Sequence, residues 1–359
     1  MLAEGRRAVV VALPAWLASR ALVVVALLVT RGLHGGYPRA GAAPGAHGWW
    51  AWDAGWYRAI AEHGYPRSGG EELRFFPLLP LLGRGVGTVL GGHDAIALVL
   101  VANLCALLFA AGVVLFTERE LDRATAPVAA WFTLLAPGAA VLALAYSEPL
   151  AGMLAVGFVL AVRSTGRAVW WAVPLGILAG LARPTGILLA VIAFVELLRR
   201  RPRVALAGAT VAPLAGAAAY CVWTWQVYGN ARLPFSTQSK PGLRGGLASN
   251  PIHALLFSST RGGLDRPVRI AVALLAIALL VVVWRLLPCS VAAWSTLALA
   301  SALTSARTDS LLRYLSSDFP LLVALAHVAR ARLAWLTGFA FAAAMTTVAV
   351  SGFGAGMVF

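Results

Sequence analysis

The residues best equipped for chemistry in this chain are isolated ionisable groups in apolar surroundings. The first is Asp53, inside residues 49–66, WWAWDAGWYRAIAEHGYP. If Asp53 begins a helix, its carboxylate can satisfy free backbone N–H groups of the first turn. The helical period then sets Trp56, Tyr57, Ile60 and Gly64 on its own face, with Ala54, Gly55, Ala59 and Ala61 turned away and Glu62 opposite. Two readings follow from the spacing. Asp53 is the cap of an interfacial amphipathic helix, or it is a carboxylate looking along an aromatic wall of Trp52, Trp56 and Tyr57, placed to accept a proton.

Further along, ionisable residues recur beside apolar runs, where they are costly and therefore candidates for function. Arg20 lies mid-way through the first apolar segment, open to an acidic partner, a lipid phosphate or a neighbouring helix. Glu148 follows Tyr146 and Ser147 in LALAYSEPLAG, where it either orients a hydroxyl group or caps the helix that begins at Pro149. In LAGLARPTGILLA, Pro184 and Gly186 force a break beside Arg183, and a guanidinium next to freed N–H groups suits phosphate oxygens. NARLPFSTQSKPGLRGG offers Gln238, Lys240 and Arg244, equally readable as a solvated basic loop. SLLRYLSSDFPLLVALA offers Arg313 for an anion and Tyr314 for stacking or a hydrogen bond, with Asp318 placed as a helix cap.

These groups must be positioned by a membrane bundle. Of 359 residues, 60% are hydrophobic and 12% charged, more apolar surface than a soluble core of this length buries. The net charge of +15 is carried mostly by arginines at the ends of apolar runs, as the positive-inside rule and anionic lipids require, which sets nucleic acid aside as a partner. A ruler of about 20 apolar residues per span gives about eleven candidates, near 8–30, 94–116, 127–146, 149–163, 168–182, 185–198, 204–228, 267–287, 289–304, 319–330 and 333–352. The expected fold is an all-α polytopic transmembrane helical bundle, one domain over 1–359, without internal repeat. The first apolar run reads as an uncleaved helix with a cytoplasmic N-terminus. Arg163 with Arg167, 199–203, and Arg330 with Arg332 then fall in cytoplasmic turns. Two long loops, 31–92 and 229–266, fall on the extracytoplasmic side, the first carrying amphipathic and Pro-interrupted re-entrant helices that line a cavity. Cys105, Cys221 and Cys289 read as buried packing, with no disulfide framework or zinc spacing.

WDAGWYRAIAEHGYP followed by FFPLLPLL resembles the signature of the GPI mannosyltransferase II (PIG-V) family, bacterial members included, within the GT-C superfamily of membrane glycosyltransferases. The Tyr-Ser-Glu, Arg-Pro-Thr-Gly, Gln238 and Arg-Tyr positions are similar to family positions too. The resemblance implies an inverting mannosyltransferase that takes a hexose from a polyprenyl-phosphate donor and passes it to a lipid or cell-envelope glycan at the extracytoplasmic face of the cell membrane. It implies Asp53 as catalytic base and points to Glu148, Arg183, Gln238, Arg313 and Tyr314 as substrate contacts; the chemistry of such a transfer adds Trp52, Trp56 and Tyr57 to stack sugar rings, and Lys240 beside Arg183 and Arg313 to hold the leaving phosphate. Membrane lipids, the donor and the acceptor are the expected partners. No cofactor is required, and a divalent metal stays open. The alternatives are a GT-C transferase of another sugar, such as arabinofuranose or glucose, and a lipid or glycan transporter, against which stands the lack of duplicated halves.

Overall fold

Small residues decide how closely the helices of this bundle cross. The computed structural model describes residues 2–200, 203–239, 253, 266–305 and 310–355. Its helices are α1 Leu2–His34, α2 Asp53–His63, α3 Leu78–Val89, α4 Asp94–Glu120, α5 Thr125–Leu135, α6 Ser147–Val162 and α7 Ala172–Ala182. They continue with α8 Ala190–Arg199, α9 Arg203–Tyr228, α10 Leu233–Gln238, α11 Arg266–Leu286, α12 Cys289–Leu303, α13 Leu311–Ser317 and α14 Phe319–Ala355. At the α7–α9 crossing, a Cβ on Gly180 would lie 2.1 Å from the Pro213 carbonyl oxygen, and one on Gly216 would lie 2.0 Å from that of Ile177. At the α4–α6 crossing, Gly112 and Gly152 receive Val156 and Phe109. Those two backbone approaches fix the framework behind the site.

The protein is an all-α polytopic membrane bundle. Five helices are each long and apolar enough to span: α1, α4, α9, α11 and the part of α14 from Leu333 to Gly354. A sixth candidate is the pair Leu311–Ser317 and Phe319–Ala329, bent by 77°. Large apolar side chains such as Leu17, Leu104, Trp225, Leu274 and Phe339 are exposed along the long helices, where lipid is the compatible solvent. The other apolar segments fold as shorter helices joined by 3₁₀ turns, among them Ala139–Leu142, Gly166–Trp171 and Pro184–Leu189. Segments 319–330 and 333–352, expected as two spans about a turn, instead form one helix of 37 residues, about 55 Å long.

Two polar networks occupy the bundle interior away from the site. Arg20 donates to Asn103 Oδ1 at 2.8 Å, to Ser19 Oγ at 2.7 Å and to the Leu142 carbonyl at 2.6 Å, so a neighbouring helix and a 3₁₀ turn answer it. Arg163, just beyond the C-terminus of α6, forks onto Glu120 at 2.6 and 3.0 Å and reaches Glu196 at 2.9 Å. Cys105 is buried as expected, while Cys221 and Cys289 are only half-buried, and Arg199 Nη1 donates to Cys289 Sγ at 2.6 Å.

Candidate active site

The site begins at a strained backbone. Trp52, immediately before α2, has φ 52° and ψ −122°, a conformation that costs a non-glycine residue about 1–3 kcal/mol and persists only when packing over-determines it. Its indole is 4% exposed and stacks on Phe353 of α14, with centroids 5.1 Å apart. The Trp52 backbone N–H donates to the Ala40 carbonyl at 2.5 Å. Gly41, at φ +127°, leaves room there: a Cβ would sit 2.8 Å from Trp52 Cα. The chain is thus turned so that Asp53 opens α2 with its backbone N–H on the Tyr146 hydroxyl at 3.0 Å.

The Asp53 carboxylate faces basic side chains. Arg313 Nη1, from α13, donates to Asp53 Oδ2 at 2.7 Å, and Arg74 Nη2 stands 3.6 Å from Oδ1. Arg313 also places Nε 3.2 Å from Glu148 Oε1, to which Arg183 Nη1 comes within 2.8 Å. Glu148, 2% exposed in the first turn of α6, is therefore the hub between two guanidinium groups, a position that neither helix capping nor a direct hydroxyl contact anticipates. Burying one carboxylate between two cations is tolerable because each charge finds an opposite charge at hydrogen-bond range.

Backbone breaks deliver these groups. Arg183 is the extended residue between α7 and the Pro184–Leu189 turn, whose Gly186 lies so close under α7 that a Cβ would be 2.1 Å from the Ala179 carbonyl oxygen. Gly138 does the same for Arg313, since a Cβ there would fall 2.4 Å from the Leu312 carbonyl group and 2.7 Å from Arg313 N. Tyr314 accepts from Arg313 Nη2 at 3.3 Å, and its ring lies 5.9 Å from the Arg183 guanidinium and 5.3 Å from that of Arg313. Behind Arg183 and Tyr314 is a cavity of about 80 Å³. Thr185, Ser317 and Asp318 also line it, and its remaining walls are mainly apolar.

The aromatic wall is partly redistributed. Tyr57 is buried, its hydroxyl donating to Ser147 Oγ at 2.7 Å. Burial, reinforced by the Glu148 carboxylate, pushes its phenol well above the ordinary range, so it stays protonated. Phe75 takes Tyr57 edge-on at 5.1 Å and Trp56 in a stack at 6.1 Å; Trp56 alone of the three proposed sugar platforms keeps substantial exposure. Trp52 is buried against Phe353. Ala54, Gly55 and Ala61, expected away from the packed face, are buried too: the Gly/Ala-rich chain before α2 covers Gly55, where a Cβ would meet Ala43 Cβ at 2.7 Å, and Arg84 of α3 donates to the Ala61 carbonyl at 2.8 Å. Asp318 is no simple cap; both its oxygens accept from Ser295 Oγ, at 2.8 and 3.0 Å.

Asp53, Glu148, Arg183, Arg313, Tyr314 and Tyr57 are brought together. Gln238 ends α10, which packs on the 3₁₀ turn Glu71–Arg74. Lys240 and Arg244 lie outside the described residues. Arg74 and Tyr146 are the contacts that sequence reasoning missed. Arg74 reads as one charge in a polar loop, and only the apolar FFP run directly after it signals that it is held at the bundle.

No family model matches the chain, and no curated protein matches it. Among solved structures it is similar to the Archaeoglobus fulgidus oligosaccharyltransferase. A crystal structure of that enzyme with zinc and sulfate is 16% identical, with a TM-score of 0.48, over 93% of this chain and 53% of the other. The complex of the same enzyme, AglB, with an inhibitory peptide and a dolichol-phosphate is 14% identical, with a TM-score of 0.48, over 94% and 56%. This chain therefore spans about half the length of the structures it resembles. At these scores the likeness decides nothing about activity, which has to be read from the residues themselves.

Three guanidinium groups, Arg74, Arg183 and Arg313, converge on two carboxylates, Asp53 and Glu148. Glu71 approaches Arg74 only from 3.9 Å and is 39% exposed. With Glu71 included, three guanidinium groups face three carboxylates, so the cluster is balanced in charge and the guanidinium forks are its anion-binding groups. Among the described residues no three His, Cys, Asp or Glu side chains come together.

Proposed function

We propose that the protein is a membrane glycosyltransferase that moves a sugar from a polyprenyl-phosphate donor to a hydroxyl acceptor, with Asp53 as general base. The observation that carries this reading is the pairing, at one end of the bundle, of a partly exposed carboxylate with a buried arginine cluster. Asp53 is 25% exposed, and its partner Arg313 is 9% exposed.

Glycosyl transfer from a lipid phosphate needs a proton acceptor at the attacking hydroxyl and cations at the departing oxygen. The acceptor oxygen forms its bond to the anomeric carbon while the bond from that carbon to the phosphate oxygen breaks. The hydroxyl proton passes to Asp53, and the electron pair leaves on the polyprenyl phosphate, held by Arg183 and Arg313. A single displacement inverts the anomeric centre. Oδ2 of Asp53 is anchored by Arg313, which leaves the Oδ1 edge, 3.6 Å from Arg74, as the side that meets the acceptor. Glu148 keeps Arg183 and Arg313 at a common spacing. Trp56 offers a ring face for the sugar.

A hexose, and mannose in particular, is supported by the motif resemblance of residues 52–82 to the PIG-V family. The lipid or glycan acceptor and the extracytoplasmic placement are supported by the same resemblance together with the charge distribution along the chain. The test is transfer of labelled mannose from polyprenyl-phosphate-mannose by purified protein, with Asp53→Asn as the matched control. Transfer by the wild type that persists unchanged in the variant sinks the assignment of the base, and no transfer of any sugar from this class of donor sinks the reading.

A further inference from the structure

Of the three arginines in the cluster, Arg74 has the loosest contacts. Arg183 and Arg313 each have an ion pair at 2.8 Å or shorter. Arg74 has only Asp53 at 3.6 Å and Glu71 at 3.9 Å. No hydrogen bond joins its guanidinium to a described residue, and its Nε is buried without a partner. The side chain is nevertheless 15% exposed, so most of its hydration has been given up. Its guanidinium lies over the Phe75 ring at 4.5 Å, which holds one face of the cation, and its Nη2 is the nitrogen nearest Asp53 and Glu71. A largely desolvated cation with unmatched donors is an expensive arrangement for a purely structural arginine, and a guanidinium fork fits phosphate oxygens in a bidentate way.

We infer that Arg74 binds the phosphate of an isoprenoid phosphate ligand, exchanging its loose contact with Asp53 for the ligand's oxygens. This deepens the glycosyl-transfer reading and takes from it only the choice of an isoprenoid. The exchange has a consequence at Asp53: as Arg74 turns to the phosphate, one of the two cations beside the carboxylate is neutralised, and the carboxylate becomes a better proton acceptor while donor is bound. Glu71, whose Oε2 stands 3.9 Å from Arg74 Nη2, competes for the same fork and weakens ligand binding.

The test uses the full chain in detergent, with binding followed by tryptophan fluorescence for farnesyl phosphate, farnesol and inorganic phosphate. The expected results are tighter binding of farnesyl phosphate than of farnesol by the wild type, and an affinity for farnesyl phosphate reduced about ten- to hundredfold in Arg74→Gln with farnesol unaffected. Arg74→Lys keeps the charge and loses less. Glu71→Gln binds as well as wild type or tighter. Equal affinity of Arg74→Gln and wild type for farnesyl phosphate, in a variant that melts like wild type, overturns the inference. If Arg74→Gln does not fold, a Glu71→Gln variant that binds more weakly overturns it instead. Arg74-dependent binding of inorganic phosphate as tight as that of farnesyl phosphate overturns the isoprenoid part. Arg74-dependent binding in a protein that transfers no sugar upholds Arg74 and fails the transferase reading. Normal transfer with unchanged donor KM in Arg74→Gln does the reverse.

Discussion

Replacing Asp53 by Asn removes a charge and a proton acceptor while keeping nearly the same volume, and the structure separates the two costs. The Asn carbonyl still accepts from Arg313 Nη1, now 2.7 Å from Asp53 Oδ2, and Arg313 keeps Glu148 at 3.2 Å. Breaking a buried ion pair so that one partner is orphaned costs about 3–5 kcal/mol. Here the arginine is not orphaned, so the stability cost is about 1–2 kcal/mol, a shift of a few degrees in melting temperature. The rate cost is larger: a positioned general base is worth about 10²–10⁴-fold, equivalent to about 3–5 kcal/mol of barrier. Affinity for the lipid phosphate should hold or improve, because a carboxylate competing for two arginines has gone. Steady-state transfer from polyprenyl-phosphate-mannose should therefore show kcat reduced a hundredfold or more with donor KM unchanged or lower. Transfer within tenfold of wild type, from a variant with wild-type melting, would refute Asp53 as the base.

Tyr146→Phe strips the acceptor from the buried Asp53 N–H and should cost about 1–2 kcal/mol, read as a lower detergent melting temperature together with reduced turnover. Gly138→Ala drives a methyl group into Leu312 and Arg313; a loss of about 1–3 kcal/mol and a fall in activity exceeding that of an alanine at the open Gly85 are expected from side-by-side melts and transfer assays. Asp122, in the turn before α5, accepts from the Thr125 N–H at 2.7 Å and from its hydroxyl at 2.8 Å, contacts that hold its carboxyl below the usual carboxylate range. Its stabilisation is thus present above the unfolded carboxylate pKa and is lost as pH falls through the lowered folded value. Asp122→Ala should lower stability by about 1 kcal/mol near neutral pH, and the gap to wild type should close in strong acid.

Local pattern made the start of α2 and the break at Arg183 legible, because an Asp before a helical run and Pro184 with Gly186 act within a few residues. The membrane character followed from composition alone. What could not be read was convergence. Nothing near Glu148 says that its partners lie at 183 and 313, and nothing near Asp53 says that the Gly/Ala-rich stretch before it folds back to cover Gly55. Nor does anything near Trp52 say that its stacking partner, Phe353, lies about 300 positions further along the chain. The turn expected between Arg330 and Arg332 failed because two nearby arginines do not stop a helix that lacks Pro or Gly at that point.

The ion pair between Asp53 and Arg313 joins residues 260 positions apart, and this has a bearing on biogenesis. At about 5–20 residues per second of synthesis, α2 waits roughly 13–52 s before α13 is made. During that interval Arg74, 3.6 Å from the acid in the finished fold, is the cation at hand, and the shorter pair with Arg313 is still to form. The charged cluster therefore closes fully only once α13 has emerged. A nascent chain arrested before residue 313 should expose the first loop to protease, and release of the arrest should restore protection.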